Sequence, residues 1–195
     1  GGTMGFKGVR NGLPVKLKTS ALRKGSAGCS FVSKQFLPIA DAGSNPSIPV
    51  MTAAEVYFLR AEGALRGWNM GGSPKDFYEE GIRASFAENA VGGIDAYLLD
   101  STSTPTSYTD PKNAANDAPP LSSITIKWED NATMEQKLER IITQKWIAMY
   151  PEGEEAWSEF RRTGYPKLYP VMVNNSGGDI PNGKFIKRIT YPTSI

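Results

Sequence analysis

The sequence predicts a mainly α fold with long irregular loops, and three observations carry that expectation. Thr52-Ala-Ala-Glu55 and Thr133-Met-Glu-Gln136 are helix-start signatures, in which a hydroxyl and a carboxylate or amide satisfy free N–H groups of the first turn. Behind each of them apolar residues recur at helical spacing. The 20 Gly and 14 Pro fall mostly between these periodic segments, where they set turns and interrupt nothing.

Taken in order, residues 1–50 show no sustained period and carry repeated turn formers, such as Asn11-Gly12 and Asn45-Pro46. They read as irregular, with short extended pieces around Val15 to Leu17 and Ser30 to Leu37. The first helix starts at Thr52, repeats through Ala54, Tyr57, Phe58, Ala61, Ala64 and Leu65, and stops at Gly67. After the Gly71-Gly72 turn a second helix opens on Ser73 as cap, with Pro74 at its first position and Asp76 in its first turn, and runs to about Asn89. Gly81 inside it costs roughly 1 kcal/mol relative to Ala, which predicts the close approach of another backbone.

These two helices make an αα-hairpin over 51–90, of the length used in helical-repeat proteins. One such pair buries its faces only against neighbouring pairs, so it predicts further repeats upstream of Gly1. Residues 100–130 read as a long polar loop. A helix pair then fills 133–164. The first of the two carries a stripe of Leu138, Ile141, Ile142, Trp146 and Met149 and ends at Pro151; the second runs from about Glu154 to Thr163 and stops at Gly164. The tail, 165–195, reads as irregular, with a short strand at Lys184 to Ile189.

At 195 residues the chain suits one domain with its own core. The net charge of +2 comes from mixed signs along the chain, so neither nucleic acid nor anionic lipid is an expected partner. Histidine is absent, which removes the commonest general base, the His-dependent triads and most zinc sites. Cys29 has no disulfide partner in the chain and no His to activate it, and reads as a small packed residue. No apolar run reaches membrane-span length and no signal-peptide pattern opens the chain; since it begins Gly1-Gly2-Thr3, a targeting segment is expected outside it.

Glu154, Glu155 and Glu159 raise a carboxylate-based glycoside hydrolase, which needs two carboxylates facing each other across a bond. Three acids on one short helix would form a single wall. The structural reading is favoured: Glu154 and Glu155 suit the N-terminal dipole, Arg161 and Arg162 the C-terminal one, and Glu159 can meet Arg162 three residues on. Trp157 and Phe160 are expected to dock on Ile142 and Trp146 as core.

Loop aromatics are better ligand candidates, because a flat ring offers a stacking face at little entropic cost. Trp68, Tyr108 and Trp128 are the candidate glycan-stacking residues, each weighed against covering the edge of the core. Asp110, Asn113, Asn116 and Asp117 could offer oxygens to calcium, but they lack EF-hand spacing and read as ordinary loop polarity. No catalytic residue, metal or cofactor is expected.

Four stretches carry a family resemblance: MTAAEVYFLRAE at 51–62, GALRGW at 63–68, YEEGIRAS at 78–85 and QKWIAMYPEGEEAWSEFRRTGYP at 144–166. They resemble the SusD/RagB family of outer-membrane nutrient-binding lipoproteins of Bacteroidetes, from about Gly8 to Pro192. The resemblance implies the C-terminal portion of a tetratricopeptide-like scaffold, lipid-anchored on the cell-surface side of the outer membrane through a segment outside this chain. It implies a non-catalytic protein that binds oligosaccharide and delivers it to a SusC-like TonB-dependent transporter; a pure interaction module capping that transporter is the other binding-protein reading. The matching motifs fall on helices, so the resemblance assigns no binding residue.

Overall fold

The computed structural model describes residue 10 and residues 49–110, 113–181 and 183–189. The expected extended pieces at Val15 to Leu17 and Ser30 to Leu37, and Cys29, lie outside the described residues. Five α-helices occur among the described ones: α1 Ala53–Leu65, α2 Pro74–Glu88, α3 Ile94–Leu98, α4 Met134–Ala148 and α5 Gly153–Thr163. The chain divides into two compact units, a helical unit of residues 35–105 and 122–167, and a loop unit of 1–34, 106–121 and 168–195.

In the helical unit the caps follow the sequence with one exchange. Ser73 and Thr133 each form a full reciprocal capping box, with Asp76 and Gln136. Thr52 caps α1 by accepting from the Glu55 N–H at 3.2 Å, but the carboxylate that completes this end comes from α2: Glu88 Oε1 accepts from the N–H groups of Ala53 and Ala54 at 3.0 and 3.3 Å. An anion from the end of one helix thus meets the positive end of the other. Glu55 is withdrawn into the interior.

The core forms where α1 and α2 face each other and α4 closes the third side. Phe58 and Tyr78 meet edge to face at 6.4 Å between ring centroids, and Ala54, Ala61, Ile82, Ile141 and Ile142 fill the space around them. Gly81 does mark a close approach, but of a side chain and not of a backbone: a Cβ there would lie 2.8 Å from the Phe58 ring. The polar loop before α4 is pinned onto this core by Arg140, itself 3% exposed, which donates to the Thr125 carbonyl at 3.1 Å and pairs with Glu129 at 2.7 Å. Tyr78 adds a hydrogen bond from its hydroxyl to the Ile126 carbonyl at 2.6 Å.

The α4 stripe departs from expectation by one position. Leu138, Ile141, Ile142 and Lys145 are the buried series, and Trp146 is 38% exposed. A step of one residue is about 100° of helix rotation, so the ring belongs to the outward face. Trp157 on α5 is half-buried, with the Arg161 guanidinium 4.4 Å from its ring centroid.

The loop unit is built on hydrogen bonds. Tyr108 and Ala118 form an antiparallel bridge, each N–H donating to the other carbonyl at 2.9 and 3.0 Å. Asp110 accepts from the Asn113 N–H and from the Asn116 side-chain amide, while Asp117 accepts from the Asp110 N–H at 2.7 Å. The expected strand at Lys184 to Ile189 is absent: the segment pairs with no neighbouring strand among the described residues, and Ile189 is 73% exposed.

Candidate functional site

Three places could carry chemistry: the acid cluster of α5, the cleft beside Trp68, and the ring pair at Tyr108. The acid cluster is a chain of alternating charges linking three helices. Lys145 of α4, 1% exposed, places its ammonium 3.1 Å from Glu159 and 3.3 Å from Glu155 of α5, and 3.5 Å from Glu55 of α1. Arg162 donates to both oxygens of Glu62 at 2.6 Å and to Glu159 at 2.7 Å, while Arg66 closes on Glu62 at 2.8 Å. Burial pushes the Glu62 carboxyl up, but the hydrogen bonds and charges of Arg162 and Arg66 outweigh it and hold the group below its ordinary range.

The expected Glu159–Arg162 pair is present, and so is the dipole placement of Glu154, Glu155, Arg161 and Arg162. What sequence reasoning missed is that Glu55, Glu62 and Lys145 complete the network. The available signal was the charged residue at Lys145, which keeps the 3–4 spacing of Leu138, Ile141 and Ile142 where Trp146 does not. Glu155 and Glu159 both turn to one ammonium, so they sit on the same side of a cation and do not flank a substrate bond.

The cleft holds about 650 Å³ and lies along the outward side of α1. Val56, Leu59 and Gly63 form one wall, Trp68 and Met70 another, and the Glu62–Arg162–Glu159 pairs the floor. Trp68 is 65% exposed. Gly63 allows the Trp68–Met70 turn to fold back, since a Cβ there would lie 2.8 Å from the Met70 sulfur.

Tyr108 is half-buried in the loop unit, its ring tilted against Tyr169 at 6.1 Å between centroids. Tyr169 donates its hydroxyl to the Thr106 carbonyl at 2.6 Å, and the Arg10 guanidinium lies 5.6 Å from the Tyr169 centroid while donating to the carbonyls of Asn116 and Pro170. Trp128 is placed differently from either. It is 7% exposed, packs on Tyr78 at 5.3 Å and donates its indole N–H to Asp130, so it is a core ring with no open face for a sugar in this chain.

Among the described residues no cluster of acids, His and Cys could hold a metal ion, and no helix is long and apolar enough to cross a membrane. The oxygens of Asp110, Asn113 and Asp117 are engaged within their own loop.

A helical-repeat scaffold with long loops, rings on those loops and charge used for internal pairing defines a class of non-enzymic binding architecture. The comparisons give the family. A model described as SusD-like, SusD and RagB outer membrane lipoprotein, matches residues 2–195, and the chain belongs to that family. A chitin-binding SusD homolog from Flavobacterium johnsoniae is 54% identical with a TM-score of 0.70, matching 73% of this chain and 30% of its own. A SusD-like protein from Bacteroides thetaiotaomicron is 54% identical with a TM-score of 0.65, over 69% and 28% of the two chains. A SusD homolog from Bacteroides ovatus is 48% identical with a TM-score of 0.71, over 78% and 32%. The chain thus spans about 30% of the length of these solved relatives. No curated protein matches it.

Proposed function

We propose that the intact protein binds oligosaccharide without cleaving it, at the cell-surface side of the outer membrane, and hands it to a SusC-like TonB-dependent transporter. The ligand class is chitin oligosaccharide. The observation that supports this most is the 54% identity to the chitin-binding homolog of Flavobacterium johnsoniae over 73% of the chain.

Tyr108 is the stacking ring we carry forward. It stands beside Tyr169 in a unit whose backbone is held by loop hydrogen bonds, so ring faces and polar groups lie together as sugar recognition needs. Calorimetry of the full-length protein with chitin oligosaccharides tests the reading. Tyr108→Ala should weaken binding by about tenfold, the loss of roughly 1.4 kcal/mol. Full-length protein that binds no oligosaccharide would defeat the glycan assignment, and release of reducing sugar would defeat the non-catalytic one.

A further inference from the structure

We infer that the Trp68 cleft is an interface within the intact protein, seating an apolar-faced helix supplied by the part of the SusD-like fold outside residues 1–195. The argument begins with spacing. Val56, Leu59, Gly63 and Arg66 stand at i, i+3, i+7 and i+10, a single line along α1, so the wall they build is straight and about 15 Å long at 1.5 Å per residue. The other sides of α1 are already used, one against α2 and one against the charges of α4 and α5.

Along this line the side chains are apolar and open to solvent: Val56 is 42% exposed and Leu59 39%, facing the 65% exposed Trp68. Solvent-facing Val and Leu side by side with Trp in one groove mark a surface built to be covered.

The chemistry of the floor selects the occupant. A sugar site needs polar groups left over to meet hydroxyls. Here the charged groups are spent on each other: Arg162 and Arg66 on Glu62, Glu159 on Arg162 and Lys145, and Arg60 on the Met70 carbonyl at 2.9 Å while its guanidinium covers the Phe77 ring at 4.0 Å. A helix presenting a row of apolar side chains asks for no hydrogen bonds from such a groove. It also supplies what a repeat hairpin lacks when it stands alone, a neighbour to close its third face. The solved relatives, of which this chain spans about 30%, have the length to provide that neighbour. Trp68 is therefore assigned to this interface, and Tyr108 to the ligand.

The test uses full-length protein. Hydroxyl-radical footprinting should find Trp68 and Leu59 protected, modified about tenfold more slowly than an open side chain. Leu59→Glu and the milder Leu59→Ser should lower the melting temperature, the former by about 5 °C or more, while leaving affinity for chitin oligosaccharide unchanged in whatever fraction stays folded. Protection that is present without sugar supports the interface even where both variants fail to fold. Reactive Trp68 in the full-length protein overturns the proposal. So does protection that appears only on adding oligosaccharide, which makes the cleft a sugar site, or only at high protein concentration with loss of the monomer, which makes it a contact between copies. Loss of sugar binding in Tyr108→Ala with Trp68 still protected would separate this interface from the ligand reading.

Discussion

The helical unit and the loop unit of this chain are held together by different physics. In the helical unit, Phe58, Tyr78 and Ile141 are almost wholly removed from water, and the charges that are buried, Lys145 and Glu159, are bound to one another. In the loop unit, order comes from side chains gripping backbone: Arg10 on two carbonyls, Tyr169 on a third, and Asn174 on the Ile180 carbonyl. The first kind of structure resists being altered, since removing one member strands its partners in a low-dielectric interior. The second leaves ring faces and loop polarity near the surface, where a ligand can use them. Scaffold and recognition are divided between the two units along this line.

The largest expected effect falls in the scaffold. Lys145→Ala leaves Glu55 and Glu159 buried without their cation, and should cost roughly 3–5 kcal/mol in a urea melt of the chain; a loss below about 1 kcal/mol would show that water or local movement compensates. The loop unit should answer less and more locally. Arg10→Ala removes two charge-assisted hydrogen bonds of about 1.5–3 kcal/mol each at most, and hydrogen exchange should rise around 106–121 and 168–181 while α1, α2 and α4 keep their protection. If exchange rises evenly through the helices instead, the division between the units is wrong.

Two smaller changes sharpen the description of the scaffold. Glu88→Ala takes the borrowed cap from α1 and should cost about 1 kcal/mol, an effect that Glu88→Asp would not rescue if the carboxylate must span from one helix to the next. The smallest concerns acid. The Glu62 carboxyl lies below its ordinary value of 4.5 when folded, so the unfolded chain binds the proton more readily. Its contribution is present in full above that value and is lost as pH falls through the folded one. Stability measured against pH should therefore fall less steeply on the acid side in Glu62→Gln, and an unchanged acid slope would mean that Arg162 and Arg66 do not act on it as drawn.

Much of the helical unit was legible residue by residue, because caps and apolar period act over four or five positions. Ser73 with Asp76, Thr133 with Gln136 and the stop at Gly164 all depend on neighbours in the chain. The readings that failed depended on remote partners. The completing acid of the α1 cap was assigned to Glu55, three residues from Thr52, when it is Glu88, 36 residues from it. Trp146 was placed inward on hydrophobicity, yet the position facing α1 holds Lys145, whose charge is tolerable there because Glu55 and Glu159 arrive from two other helices. Rings fared the same way: Trp128 and Tyr108 look alike as loop aromatics, and burial against Tyr78 separates the first from the second.

The amino-acid sequence by itself determined the helices and their ends, the lack of a histidine-based site, and the family, whose motifs lie on those same helices. The tertiary structure decided which charges are buried, which rings are open, and that α1 keeps one apolar side facing a cleft. The physical reason is range: a cap or a helical period is settled within a turn or two of its own chain, whereas the burial of Lys145 or the exposure of Trp68 is settled by segments that meet only when the fold has formed.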